Sequence, residues 1–136
     1  MAEFFYVEPQ TVAAGGNVIY NGVSEKGCNY IRHRDGSGIV SLRGGHRYRV
    51  AFSANITGAT ADVPVSLAIA VNGEPIGYAT MIVTPSAANE LINVSAETIV
   101  SVPLCCCYSL SVVNPGDAAI TTQNANIIIT KEDLTA

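Results

Sequence analysis

An all-β sandwich of about eight to ten short strands is the fold this sequence predicts, by the strand spacing of such architectures. Three observations predict it. Apolar residues alternate with polar or small ones almost throughout, no stretch sustains a 3.6-residue period, and Gly, Asn and Pro stand between the alternating runs, where turns are needed. At 136 residues the chain is one domain's worth and can bury a core of its own.

Taken in order, the elements follow from that alternation. Phe4-Phe5-Tyr6-Val7 before Pro9 is too apolar for an idle tail, since an aromatic cluster of this kind packs on something. Residues 1–14 are read as a first strand or as an arm docking on a neighbouring subunit, ahead of a sandwich domain over 15–136. Strands are expected over 17–20 and 38–43, with Gly44-Gly45 as the next turn. Tyr48, Val50, Phe52 and Ala54 then alternate with Arg47, Arg49, Ala51 and Ser53, a half-buried strand whose aromatic side faces the core. Val65, Leu67, Ile69 and Val71 alternate with Ser66, Ala68 and Ala70, Asn72-Gly73 marks a turn, and the run from Tyr78 to Val83 returns as a hairpin. Ser86 to Glu90, mildly helical in preference, is too short to be more than a turn. Further strands are expected over 91–102, 104–113 and 125–131. In the last of these Ile127, Ile128 and Ile129 leave both faces apolar.

Apolar residues make up 49% of the chain and charged residues only 13%, an unusual shortage of charge for a soluble monomer and a reason to expect surface buried against other copies. The formal net charge of −4 argues against attraction to nucleic acid or anionic membranes. No apolar run approaches the ~20 residues a bilayer span needs, so no membrane insertion is expected. The N-terminus shows no secretory signal.

The charge is unevenly placed: five of the seven Lys and Arg residues, Arg32, Arg34, Arg43, Arg47 and Arg49, share one stretch with both histidines, His33 and His46. If Tyr48 and Phe52 face the core, Arg47 and Arg49 project from the opposite side of the same strand, which is either solvent or a subunit interface. Interfaces favour Arg for its planar fork, and copies gathered on an axis repel unless carboxylates or an anion lie between them. Arg47, Arg49, Tyr48, Phe52 and Ile128 are therefore the candidate residues for a trimer interface or anion site.

Catalytic motifs are absent. His33-Arg34-Asp35 matches three letters of a kinase catalytic loop, but its Asn, glycine-rich loop and strand lysine are missing, and the residues read as a strand end entering an Asp35-Gly36 turn. A triad drawn from Ser37 or Ser41, His33 or His46, and Asp35 or Asp62 lacks a nucleophile elbow. Cys105 and Cys107 share a strand face, but structural zinc sites space their cysteines more widely in a wrapping turn, so no metal is expected. Cys106 is read as a small core residue beside Tyr108, with Cys28, Cys105, Cys106 and Cys107 as free, mostly buried thiols. No phosphate-binding loop and no calcium loop occurs, and no cofactor is expected.

Gly16-Asn17-Val18-Ile19-Tyr20-Asn21, Ile39-Val40-Ser41-Leu42 and Gly44-Gly45-His46-Arg47-Tyr48-Arg49-Val50-Ala51-Phe52 together resemble the opening of C1q/TNF-like jelly-roll domains, where a glycine precedes a Tyr-x-Val/Phe-x-Phe strand. The Val71-Asn72-Gly73 hairpin and the strands over 104–113 and 126–131 follow in compatible order, and the likeness is to the bacterial and phage versions found at the ends of collagen-like surface fibres. This chain has no Gly-X-Y repeat, and its run of three cysteines is not a family feature. The resemblance implies a ten-stranded, two-sheet jelly roll forming a homotrimer through its inner sheet, with loops contacting ligands, and the small residues Ser66, Ala68 and Ala70 fit a sheet face covered by a neighbouring copy. The expected function is a non-enzymatic, self-trimerising structural or adhesive module, a phage virion component or a bacterial surface protein. The alternative is recognition of a glycan or protein receptor through loops near 21–37, 57–63 and 84–90.

Overall fold

The computed structural model describes residues 1–26 and 30–132; Cys28 lies outside them. Among the described residues the period-two pattern becomes eleven strands and no helix. They are β1 (Ala2–Tyr6), β2 (Gln10–Val12), β3 (Gly22–Lys26), β4 (Ile31–His33), β5 (Val40–Arg43), β6 (His46–Thr57), β7 (Val65–Val71), β8 (Glu74–Val83), β9 (Ile92–Val102), β10 (Cys107–Val113) and β11 (Ile120–Glu132).

One antiparallel sheet runs β3-β1-β11-β6-β9, with β2 also pairing β11; the other runs β4-β5-β10-β7-β8. Strands adjacent in each sheet are mostly distant in sequence, which is the jelly-roll pattern. Pro9 lacks an amide hydrogen and so ends the first pairing run. β1 and β2 consequently lie one after the other along the same edge of β11, Ala2–Tyr6 opposite 125–129 and Gln10–Val12 opposite 120–122. The Asn124 amide donates to the Val7 carbonyl at 3.2 Å across the gap between them.

Inward-pointing residues from both sheets fuse into one core, in which Tyr48, Phe52, Ile127 and Ile129 of the first sheet meet Leu42, Leu67, Ile69 and Leu110 of the second. Each fully buried aliphatic or aromatic side chain contributes about 1.5–3 kcal/mol by removal from water. The Tyr48 hydroxyl lies inside and donates to the Arg43 carbonyl at 2.6 Å, so this buried polar atom is satisfied. The hairpin expected at Asn72-Gly73 is present: both residues have positive φ, 53° and 83°, as a type I′ turn requires.

Three expectations are corrected. No strand forms over 17–20; only an isolated bridge joins Asn17 to Val113. The physical reason is that the amides there find other partners: Val18 donates to the Val112 carbonyl at 2.8 Å, and the Gln10 carboxamide brackets Ile19 by accepting from its N–H at 3.0 Å and donating to its carbonyl at 3.1 Å. The strand expected over 104–113 starts at Cys107, because Pro103 to Cys106 is a turn closed by the Cys106 amide on the Pro103 carbonyl, with Cys105 at φ 65°. Cys106 is therefore not a core residue, and Cys105, Cys106 and Cys107 are all exposed free thiols. Finally, Ala68 and Ala70 on the outward side of β7 are fully buried within the single chain, beside Val113, so they call for no neighbouring copy.

Candidate functional site

Tyr48 and Phe52 lie inside the subunit, with 0% and 1% of their surface exposed, so they support the β6 surface from beneath and do not line it. The sequence-predicted set thus divides: Arg47, Arg49 and Ile128 belong to the outer face of the six-stranded sheet, Tyr48 and Phe52 to the core. On that outer face Ile128 of β11 lies opposite Ala51 of β6, and Thr130 opposite Arg49. Arg49 in turn lies opposite Ile99 of β9, and Ala51 opposite Glu97. Alternation places them together, since their strand neighbours Val50, Val100, Ile127 and Ile129 are buried.

Arg49 is the electrostatic centre of this face. Its Nε donates to Glu132 Oε1 at 2.7 Å and its Nη1 to Glu97 Oε1 at 2.9 Å. The fork is held by two carboxylates of its own chain, and they, Glu132 foremost, raise the guanidinium's already high pKa. The Arg49 charge is thus offset within its own chain. Arg47, also on this face, has a buried Nε with no hydrogen-bond partner.

Around this centre the surface is weakly polar. Ile99 is 47% exposed, Ile128 is half-buried, and the remaining positions of β9 on this side are Asn93, Ser95 and Ser101. Phe5 of β1 is half-buried, and a Cβ at Gly22 would fall 2.2 Å from its ring, so the glycine admits the ring at this edge. Beside it the Glu3 carboxylate accepts from the Ser24 hydroxyl and from Asn126 Nδ2 at 2.8 Å; these bonds to the charged form, Ser24's first, lower its pKa.

The other sequence candidates do not assemble into a reactive site. His33 Nε2 is 2.8 Å from the carbonyl of Ser37, while the Ser37 hydroxyl accepts from the Ile39 amide at 3.0 Å, so no serine–histidine pair exists here. Asp35-Gly36 forms the expected turn, with the Ser37 amide on the Arg34 carbonyl at 3.0 Å and Gly36 at φ 82°. Among the described residues no group of three or more His, Cys, Asp or Glu side chains is placed to hold a metal ion. Among the same residues no helix is long and apolar enough to cross a membrane. Burial pushes the Tyr20 phenol far above its usual pKa, keeping it neutral in the core with no hydrogen-bond partner.

The loops over 57–63 and 84–90 meet at one end of the sandwich, where the Asp62 amide donates to the Pro85 carbonyl at 2.7 Å and the Asn89 amide to the Gly58 carbonyl at 3.0 Å. At the opposite end, around Tyr30, lies a basic, thiol-lined cavity that sequence reasoning missed. Its only sequence signal was the run of three cysteines, which an uninterrupted strand reading would have split between two faces.

No family model matches the sequence, and no curated protein matches it. Among solved structures the chain is similar to murine APRIL, with a TM-score of 0.54 at 7% identity over 89% of this chain and 96% of that one. Lower-scoring matches are a family 35 carbohydrate-binding module from Clostridium thermocellum, at TM-score 0.44, 10% identity and 90% and 98% coverage, and the PRD1 vertex protein P5, at TM-score 0.43, 13% identity and 93% coverage of each chain. The chain is an all-β jelly-roll domain of two antiparallel sheets, with a fold like that of APRIL.

Proposed function

We propose that this protein is a non-enzymatic module that trimerises through the outer face of its six-stranded sheet and serves as a structural or adhesive part, in a phage virion or on a bacterial surface. The observation that carries this reading is the make-up of that face: Ile99, Ile128 and Ala51 surround an arginine already neutralised by Glu97 and Glu132. Such a surface can be covered by a copy of itself without stranding a net cationic centre, and Ile99 and Ile128 supply apolar side chains to the contact. Light scattering on the purified protein tests the reading. A mass three times the 14.2 kDa of one chain is expected, and a stable monomer at micromolar concentration overturns it.

A second reading, recognition of a glycan or protein receptor, is favoured by the joined loops over 57–63 and 84–90, which leave Val63 and Leu91 each 45% exposed. The loop expected to contribute over 21–37 falls partly outside the described residues. Under this reading, substitutions at Val63 and Leu91 abolish binding in a glycan or cell-binding screen and leave the oligomer intact.

A further inference from the structure

At the end of the sandwich away from those loops, two adjoining cavities of about 550 and 480 Å³ share Tyr30, Arg43 and Cys107 in their walls. Arg32 and His46 belong to a lining that holds no carboxylate among the described residues. In a chain of net charge −4 this is a local reversal of sign. Tyr30 organises it: Lys131 Nζ lies 4.0 Å from the ring centroid, the Arg43 guanidinium carbon 5.8 Å, and the His46 ring packs edge-on at 4.4 Å. Cations held against an aromatic ring are partly desolvated and kept in place.

Three exposed thiols open onto these cavities, and register singles out one of them. Cys107, the first residue of β10, is directly opposite Arg43 of β5. Side chains so paired on one sheet face have Cβ atoms about 4.5–5.5 Å apart, so the guanidinium stands within reach of the sulfur. Arg32 follows diagonally on the next strand, opposite Ser41.

We propose that this basic cavity binds small disulfides bearing carboxylate groups and delivers them to Cys107 for thiol–disulfide exchange. The Cys107 thiol loses its proton to solvent, its thiolate attacks one sulfur of the bound disulfide, and that S–S bond breaks. A new S–S bond joins Cys107 to half of the molecule, and the other half leaves as a thiolate; one sulfur is oxidised and one reduced, with the small disulfide as oxidant. Arg43 and Arg32 hold the carboxylates and offset the negative charge that the thiolate and leaving group share. The result is a reversible S-thiolated subunit, modified at a place remote from the face on which assembly depends.

Two aliphatic disulfides of opposite charge test this: 3,3′-dithiodipropionate, a dianion, and cystamine, a dication. Exchange rates are measured by mass spectrometry with peptide mapping on the intact protein and on the R43Q, R43K and R32Q variants. The adduct is expected on Cys107, and the ratio of the anion rate to the cation rate should fall about fivefold or more in R43Q, as loss of one unit charge a few ångströms away requires. R43K restores most of that ratio, R32Q lowers it less, and salt near 0.5 M brings the native protein toward R43Q. A ratio unchanged in R43Q, or an adduct on Cys28, Cys105 or Cys106 in place of Cys107, overturns the proposal.

Discussion

Replacing Ile99 by Thr probes the proposed assembly face while keeping a β-branched side chain, so the strand's own preference is conserved. Ile99 is 47% exposed in the isolated subunit, so close to half of its transfer free energy remains to be gained on contact with another copy. With about 1.5–3 kcal/mol for full burial of an isoleucine, that remainder is about 0.7–1.4 kcal/mol per copy and about 2–4 kcal/mol for three copies. Most of it is lost in Ile99→Thr, which corresponds to a dissociation constant raised roughly 30- to 1000-fold. Sedimentation velocity or light scattering across a dilution series reads this directly: the variant should dissociate at concentrations where the native protein stays whole, while its far-UV circular dichroism is unchanged. If Ile99→Thr and native protein share one dissociation midpoint, Ile99 is not covered by a neighbour and the face has been misassigned.

Asn114 is 1% exposed, donates to the carbonyls of Val12 at 3.2 Å and Ala118 at 2.8 Å, and accepts from the Gly116 amide at 3.0 Å; Asn114→Ala strands these groups and should cost about 2–4 kcal/mol in a urea melt. Gly44→Ala sets a Cβ 2.2 Å from the Cys106 carbonyl oxygen and 2.3 Å from that of Pro103, backbone atoms that cannot rotate away, so about 1–3 kcal/mol or more of destabilisation is expected in the same assay. Glu3 has a lowered pKa, so its contribution is complete above the unfolded value of about 4.3 and disappears as the pH falls through the lower folded one. A plot of Tm against pH should therefore drop less steeply below pH ~4 for Glu3→Gln than for the native chain; parallel curves would show that the Ser24 and Asn126 bonds do not bias its ionisation.

Much of the sandwich was legible because period-two alternation is a direct record of which side is buried. Tyr48, Val50 and Phe52 against Arg47 and Arg49 gave the orientation of β6, and Asn72-Gly73 gave the β7–β8 hairpin, since few residue pairs accept two consecutive positive φ angles. Local alternation fails where a distant side chain replaces a strand. Val18-Ile19-Tyr20 looks like a strand, yet Gln10 satisfies Ile19, the Val112 carbonyl of β10 takes the Val18 amide and the Ser37 carbonyl takes that of Tyr20, long-range events that no local pattern encodes. It fails again at Pro103–Cys106, where a left-handed Cys105 bends a chain whose spacing reads as continuous. Nor does alternation say which sheet a strand joins: the small side chains of β7 looked suited to a subunit contact but belong to the five-stranded sheet, covered within the chain. The candidate site was legible as residue types and not as contacts. That Glu97 and Glu132, 48 and 83 residues from Arg49, would close on its fork required the strand order.

The mass of the native protein in solution, followed by light scattering from micromolar concentration downward, bears most directly on whether the outer face of the six-stranded sheet is shared between subunits. Three chains of 14.2 kDa, persisting until substantial dilution and coming apart sooner in Ile99→Thr, is the expected result. A single 14.2 kDa species at every concentration, equally stable with and without Ile99, would contradict it.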